Sequence, residues 1–347
     1  MKLMKKWIAA LTLTGLLAAS LGLSAFADTP VTLTGQQVTK HLVMAEGQAV
    51  PTETFSFTAD AVTEDAPEAS IDNVSYTSAD DLGAHFNDGV YTVDKNAAIT
   101  FGDFPHAGTY VYTVTENPGS ADGITYDSTS YTMMVYVAND SGNLVIRDIT
   151  VEADNGKQED LSFTNTYRKN SSLTITKNTE GDLADKTKDF AFTIRFIKSG
   201  TESDSVTSYT GKIGSEEVTC NIGADTPFSL RDGESLVFEN LPVGTRYVVT
   251  EVAAADGYTP SVSVIENNVE TFTDTTAEEN ALSTANGDSS NLVGENENSV
   301  VFTNTYVDVP VTGLMLKNLP FLLLIVLPAL ALILPMAAKA RMKKRNH

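Results

Sequence analysis

The sequence has a single cysteine, Cys220, among its 347 residues, so it cannot form an intramolecular disulfide. Its four histidines are scattered, and no group of His, Cys, Asp and Glu has the spacing of a metal site. It has neither a glycine-rich phosphate loop nor a serine in a nucleophile-elbow motif. These absences predict a protein without metal or organic cofactor, and they argue against the common classes of hydrolase and nucleotide-binding protein.

Basic residues are also scarce, with 23 Lys and Arg against 45 Asp and Glu, and the net charge is −22. Every acidic residue lies between Asp28 and Gly313. Such an acidic surface repels a phosphate backbone, so we expect no nucleic-acid partner. Acidic pairs such as Asp80-Asp81 lack the spacing of a calcium loop and predict a solvated surface.

Residues 1–27 have the layout of a secretory signal peptide. A basic start is followed by an apolar stretch from Trp7 to Leu23 and then by Ala25-Phe26-Ala27. We expect cleavage between Ala27 and Asp28 and export of the chain. An exported chain without disulfides needs another source of stability.

The C-terminal end combines three features in a fixed order. A Pro-x-Thr-Gly motif at 309–313 precedes a predicted transmembrane segment at 314–338 and a basic tail at 339–347. The motif consists of Val309, Pro310, Val311, Thr312 and Gly313. As a helix, the apolar run from Leu319 to Ala338 would be about 30 Å long, enough to cross a bilayer with the tail on the cytoplasmic side.

This order of motif, span and tail resembles the cell-wall sorting signal of Gram-positive surface proteins. The resemblance implies that a sortase cuts after Thr312 and transfers the threonine acyl group to an amine. The alternative is an ordinary C-terminal membrane anchor in which the motif occurs by chance.

The part of the chain between these ends contains the same pattern twice. The pentapeptide FTNTY occurs at 163–167 and again at 302–306. Segments at 37–40, 55–58 and 108–116 have counterparts, in the same order, at 174–177, 190–193 and 244–251. We therefore predict two domains, at 28–168 and 171–307, joined by a short linker.

Both repeats consist of short segments rich in Val, Thr, Tyr and Phe that alternate apolar with polar residues. Gly, Asp, Asn and Pro separate these segments. The pattern predicts an all-β protein made of two tandem immunoglobulin-like β-sandwiches. A polar stretch from Ala277 to Asn298 predicts a surface loop in the second domain.

Three polar residues in each repeat fall on the apolar face of a strand, because residues two apart share a face. In the first repeat these are Lys40, Glu116 and Asn165, and in the second they are Lys177, Glu251 and Asn304. Buried lysine and glutamate are rare unless paired, and burial favours the neutral amine and the neutral acid. These are the forms that react.

The two sets predict a spontaneous Lys–Asn isopeptide bond in each domain. A neutral lysine amine can attack an asparagine carboxamide. The protonated carboxyl of Glu116 or Glu251 would hydrogen-bond the carboxamide oxygen, stabilise the charge on it and carry protons to the leaving ammonia. The cross-links Lys40–Asn165 and Lys177–Asn304 would join the first and last strands of each sandwich. The alternative is a buried salt bridge with no covalent bond.

With these residues, the chain resembles the two-domain major pilins of Gram-positive pili, of the streptococcal type with self-formed Lys–Asn bonds. The resemblance implies a secreted, cell-wall-anchored shaft subunit of a surface pilus that is not an enzyme. It also implies a set of partners: a sortase, identical pilin subunits, peptidoglycan or a basal pilin, and minor or tip pilins. The chain departs from the family in having Val309 where leucine is commoner, and Tyr167-Arg168-Lys169 lacks the proline of the Tyr-Pro-Lys pilin motif.

The lysine that receives Thr312 of the next subunit is predicted to be Lys157, with Lys169 as the alternative. Lys157 precedes the last strand of the first domain and should lie at the end far from the second domain, which favours a head-to-tail fibre. Related pilins place their acceptor shortly before the corresponding strand. Lys169 lies in the linker and would direct the incoming subunit to the waist between the domains.

Two other functions remain open from the sequence. The same domains and sorting signal would suit a wall-anchored monomeric adhesin or a basal minor pilin. A secreted hydrolase could use Glu116 and Glu251 as paired carboxylates, although equivalent positions in tandem domains should lie far apart.

Overall fold

The computed structural model describes residues 37–82, 86–254, 257–276, 280–285, 287 and 289–306. The predicted signal peptide, sorting motif, transmembrane segment and basic tail all lie outside these residues. The described part is all-β, as predicted, and contains no helix, hence none that could span a membrane.

The first half of the chain forms thirteen strands among its described residues: β1 Gln37–Ala45, β2 Glu53–Phe55, β3 Phe57–Ala61, β4 Ala69–Ile71, β5 Val74–Tyr76, β6 Phe86–Asn87, β7 Val90–Phe101, β8 Gly108–Glu116, β9 Ile124–Thr125, β10 Ser130–Asp140, β11 Asn143–Ala153, β12 Gly156–Gln158 and β13 Leu161–Tyr167. Two sheets face each other. One has the order β4-β7-β1-β13-β9, with β6 on β7, and the other has the order β12-β11-β10-β8-β3. Strands β2 and β5 form a separate two-stranded sheet.

The second half repeats this architecture of two facing sheets. Its strands are β14 Asn170–Glu180, β15 Phe190–Ile197, β16 Ser208–Ile213, β17 Glu216–Asn221, β18 Thr226–Leu230, β19 Ser235–Pro242, β20 Arg246–Glu251, β21 Tyr258–Glu266, β22 Val269–Thr275, β23 Leu282–Ser283, β24 Asn291–Leu292 and β25 Ser299–Tyr306. One sheet has the order β17-β16-β19-β14-β25-β21-β22, and the other has the order β18-β15-β20-β23, with β24 also on β20.

Each half has its own hydrophobic core between its sheets, with one running from Val38 to Phe163 and the other from Leu173 to Phe302. This is the result of strict alternation, since β1 and β14 bury every second side chain. The predicted domain boundaries remain a prediction at their outer ends, because 28–36 and 307 are not described.

The first and last strands of each half lie side by side and run parallel. β1 pairs with β13, and β14 pairs with β25. Every other strand pair of the described structure is antiparallel, as expected for sandwiches built from hairpins. The parallel pairs bring together residues that are more than a hundred positions apart in the chain, such as Lys40 and Phe163.

The prediction of a surface loop at 277–298 is wrong for the described part of that segment. Strands β23 and β24 both pair with β20, and Leu282 and Val293 are buried in the second core. Asn298 is also buried, and its side-chain Oδ1 accepts a hydrogen bond from Gly294 N at 2.7 Å. The side-chain amides in this segment hydrogen-bond the backbone of a buried turn. The resulting polar composition resembles that of an exposed loop, which is why the prediction was wrong.

The two halves contact each other closely at their junction. Arg246 forms an ion pair with Glu46, and Arg168 Nη2 lies 2.5 Å from Glu202 Oε1. Glu295 accepts a hydrogen bond from Ala49 N at 2.9 Å and forms an ion pair with Lys169. These contacts connect both halves and the linker.

Candidate cross-link sites

Each sandwich places a lysine, a glutamate and an asparagine together in its core. Lys40 on β1 and Asn165 on β13 come from one sheet, and Glu116 at the end of β8 comes from the sheet opposite. The side chains of Lys40 and Glu116 are fully buried. The three residues therefore meet across the space between the sheets.

In the first site, Glu116 bridges the other two residues. Lys40 Nζ donates to Glu116 Oε2 at 2.7 Å, and Asn165 Nδ2 donates to Glu116 Oε1 at 2.5 Å. Lys40 Nζ is also 3.4 Å from the carbonyl oxygen of Phe163. One carboxylate thus contacts both the amine and the carboxamide nitrogen that would leave.

Aromatic rings keep this first site apolar. The Lys40 amine lies 4.8 Å from the centroid of the Phe55 ring, and Phe163 packs against Phe57 and Tyr131. Burial lowers the pKa of Lys40 below its ordinary value, and the hydrogen bond to Glu116 only partly opposes that effect. The site thus favours the neutral amine more than water does.

The second site has the same members but looser hydrogen bonding. Asn304 Nδ2 donates to Glu251 Oε1 at 2.6 Å, whereas Lys177 Nζ lies 3.3 Å from that oxygen. Lys177 Nζ, Glu251 Oε2 and Asn304 Oδ1 have no hydrogen-bond partner among the described residues. Burial lowers the pKa of Lys177 to about 8, against the attraction of Glu251.

Asp127 is a member of the first site that the sequence analysis missed. Its backbone N–H donates to Asn165 Oδ1 at 2.7 Å, and its carboxylate accepts from the N–H groups of Thr129 and Thr164. Burial acts to raise the pKa of Asp127, but these hydrogen bonds outweigh it and the pKa is lowered. The Asp-Ser-Thr sequence at 127–129 is typical of a side chain that caps its own turn, and is the only signal that could have drawn attention to it.

The arrangement unites a nucleophile, an acyl group and a proton carrier. Lysine supplies the amine, asparagine the carbonyl carbon and glutamate the acid–base group. The described residues hold no cluster suited to a metal ion. Glu116 and Glu251 are buried in separate cores, so they do not form the paired-carboxylate site that a glycoside hydrolase requires.

The two candidate acceptor lysines differ in their surroundings. Lys157 lies on β12, the short edge strand before β13, where it is exposed and stands opposite Glu152 in the register of β11 and β12. Lys169 lies in the junction and forms an ion pair with Glu295, which raises the pKa of Lys169. The sorting motif at 309–313 lies beyond the described residues, so no contact with it can be assigned.

Comparison with known proteins gives matches for both halves. Residues 36–168 match the family model described as a Spy0128-like isopeptide containing domain. Residues 171–306 match a domain of unknown function, DUF7601.

Among known proteins, a pilin of Streptococcus pyogenes serotype M1 is 32% identical over 248 residues, which span 65% of this chain and 70% of that pilin. The pilus tip adhesin Cpa of Streptococcus pyogenes is 44% identical over 84 residues, 24% of this chain but only 12% of the adhesin. A solved major pilin, T3.2 of Streptococcus pyogenes, aligns over 79% of this chain and 99% of its own, with 24% identity and a TM-score of 0.38. The extended match to the serotype M1 pilin confirms the family predicted from the sequence. The chain belongs to the pilin family and is a structural subunit of a surface pilus.

Proposed function

We propose that this pilin is the repeating shaft subunit of a covalent pilus and that it cross-links itself through Lys40–Asn165 and Lys177–Asn304. A sortase would then join Thr312 of one subunit to Lys157 of the next. The observation that carries the proposal is the duplicated buried site, in which one carboxylate contacts both an amine and a carboxamide. Such a site is costly as an ion pair and useful as a reaction centre.

In the first site, the reaction begins when a proton moves from Lys40 Nζ to Glu116 Oε2 along their 2.7 Å hydrogen bond. The neutral amine attacks Asn165 Cγ, and the carboxamide oxygen takes up negative charge. Glu116 gives the proton that it took from Lys40 to Asn165 Nδ2, with which it is already hydrogen-bonded at 2.5 Å, and it accepts the extra proton of the attacking Lys40 nitrogen. The Cγ–Nδ2 bond breaks, ammonia leaves, and an amide joins Lys40 to Asn165.

Formation of the amide bond removes the free-energy cost of burying the charged Lys40 and Glu116 side chains. Two buried charges disappear, and a neutral amide remains between strands that already lie side by side. Because the amine and the carboxamide are held in one cavity, no external enzyme is needed to bring them together. The same steps apply to Lys177, Glu251 and Asn304.

Lys157 is supported as the sortase acceptor by its exposure on an edge strand. A transpeptidase needs free access to the amine, and Lys157 offers it. Lys169 is held instead by Glu295 within the junction. The wall-anchored adhesin remains the alternative function, and it would require no acceptor lysine.

The intact mass of the mature chain, from Asp28 to Thr312, tests the internal bonds. Each bond expels one ammonia, so the mass should fall by about 17 Da per bond and by about 34 Da in total. Peptide mapping should find Lys40 joined to Asn165 and Lys177 joined to Asn304. A folded chain with its full sequence mass would refute the proposal and leave two buried ion pairs in its place.

A further inference from the structure

From the geometry of the first site we infer that the backbone N–H of Asp127 is the oxyanion donor for the Lys40–Asn165 bond. The Asp127 carboxylate is the positioning group that holds this N–H in place. The inference rests on the proposed isopeptide reaction and names the part of the site that stabilises its charged intermediate.

The donor already occupies the required position. Asp127 N lies 2.7 Å from Asn165 Oδ1, the oxygen on which negative charge develops when Lys40 attacks Cγ. A fixed N–H at this distance stabilises an oxyanion strongly in a buried site, because it needs no reorientation during the reaction. The sequence predicted that Glu116 would stabilise this charge, but both of its oxygens contact nitrogen atoms, so the role falls to another group.

The Asp127 side chain connects the donor to the reacting strand. Its Oδ2 accepts from Thr164 N at 2.7 Å, and its Oδ1 accepts from Thr129 N at 2.8 Å. Thr164 is the residue before Asn165 on β13. One carboxylate therefore fixes the segment between β9 and β10 against the strand that carries the electrophile.

The second site lacks this donor among the described residues. Asn304 Oδ1 is buried without a hydrogen-bond partner. The reason lies in the neighbouring strand: β9 ends at Thr125, which frees Asp127 to turn toward Asn165, whereas β21 continues past Pro260 and pairs Ser261 with Thr303. The two reactions should therefore proceed at different rates, with the first bond forming faster.

The role of the donor can be written step by step. Lys40 Nζ forms a bond to Asn165 Cγ, and the carbonyl electron pair moves onto Oδ1, where the Asp127 N–H stabilises it. When the pair returns, the Cγ–Nδ2 bond breaks, and Nδ2 leaves as ammonia with one proton from Glu116, while Glu116 takes up one proton from the Lys40 nitrogen. Asp127 neither gains nor loses a proton.

The test measures both bonds in one molecule. Mature chains recovered unfolded and unreacted are refolded by dilution, and the mass loss at each site is followed over time by peptide mapping. In the parent chain the first bond should form faster than the second. The substitution Asp127→Pro removes the N–H and should slow the first bond on the order of a hundredfold, the usual cost of losing one oxyanion donor.

Two further variants distinguish the effect of the Asp127 N–H on the rate from the effect of its carboxylate. Asp127→Ala keeps the N–H but frees the segment, so the first bond should slow less than with proline. Asp127→Asn keeps one of the two side-chain acceptor oxygens, so the first bond should form at a rate between those of Asp127→Ala and the parent chain. The second bond, at Lys177 and Asn304, serves as the internal control and should be unaffected in all three variants.

A measurement on unreacted protein covers the case in which the proline variant misfolds. In the Glu116→Ala background, the amide proton of Asp127 should shift upfield in the NMR spectrum when Asn165→Ala removes its acceptor. The inference is overturned if Asp127→Pro folds and forms the first bond at the parent rate, or if the Asp127 amide does not respond to Asn165. A parent chain that forms neither bond refutes the isopeptide proposal itself, which is a different result.

Discussion

Asn165 lies two residues beyond Phe163, the residue that pairs with Lys40 across the parallel strands β1 and β13. Because of this offset, the side chains of Lys40 and Asn165 lie on the same inward face of the sheet and are diagonal neighbours on adjacent strands. Asn304 has the same relation to Phe302 and Lys177. The long side chain of lysine can reach an asparagine along this diagonal. It would be too long to meet a residue directly opposite without a clash.

Removing one glutamate should abolish one bond only. In Glu116→Ala we expect a mass loss of about 17 Da, from the second site alone, and in Glu251→Ala the same loss from the first site alone. Each variant lacks the proton carrier of its own site while the other site is intact. Loss of both ammonias in either variant would exclude that glutamate from the reaction.

The Glu116→Ala variant also shows how strongly an unpaired, buried Lys40 amine destabilises the first domain. Glu116→Ala leaves Lys40 buried without its partner, which should destabilise the first domain by about 3–5 kcal/mol beyond the loss of the bond. Adding Lys40→Met to Glu116→Ala removes that buried charge as well, so the double variant should unfold at a higher temperature than Glu116→Ala alone. The order of the two melting temperatures, measured by calorimetry, decides the point.

The cross-link itself should add stability through the unfolded state. Asn165→Ala removes a link that closes a loop of more than a hundred residues, so the free energy of unfolding should fall by about 4–5 kcal/mol. Thermal unfolding and trypsin resistance of the first domain would report the loss. Asn170→Ala, on the exposed start of β14, is a matched control and should leave both bonds and both melting transitions unchanged.

The pH dependence of an unlinked second domain should reveal the buried amine. In Asn304→Ala, Lys177 stays free; burial lowers its folded pKa from 10.5 to about 8. Between these values the unfolded chain binds more protons than the folded one, so stability rises with pH across this window. The gain should be about 3 kcal/mol relative to the linked parent, whose lysine is an amide and does not titrate. Equal slopes of unfolding free energy against pH in both proteins would contradict the pKa shift.

Loss of the acceptor lysine should stop polymerisation without affecting the fold. Cells that carry Lys157→Ala should release wall-linked monomer in place of a ladder of covalent polymers after boiling in detergent. Lys212→Ala, which removes another exposed lysine on a strand, is the control and should retain the ladder. If Lys157→Ala still polymerises and Lys169→Ala does not, the junction lysine is the acceptor.

The lysine, glutamate and asparagine of each site could be predicted from the sequence because the alternation of side chains between the two faces of a strand is a local property. Lys40 shares a face with Val38 and Leu42 whatever the sheet order, and the repeat supplies an independent second example. The burial of segment 277–298 could not be predicted, because it depends on contacts that are not local in the sequence. Its burial depends on side-chain amides such as that of Asn298, which hydrogen-bonds the nearby Gly294 N and the distant Ser172 carbonyl, and composition does not reveal such contacts.

Asp127 could not be predicted because its role depends on where a neighbouring strand stops. The register of β9 against β13 ends at Thr125 and Thr166, and only then does the Asp127 N–H point toward Asn165. No periodic pattern encodes this turn. The contrast with β21, which continues without a break, became visible only when the two halves were compared in three dimensions.

The parallel pairing of first and last strands determines how a pilus would carry a pulling force. If subunits are joined through Lys157 and Thr312 as proposed, tension would follow β13 through the linker into β14 and pass through a Lys177–Asn304 bond directly into β25. Most of the second sandwich would then carry no load. A Lys40–Asn165 bond would lie off this route, since the backbone from Lys157 already leads to the linker. The second bond would therefore bear tension, whereas the first would protect its domain against heat and proteolysis.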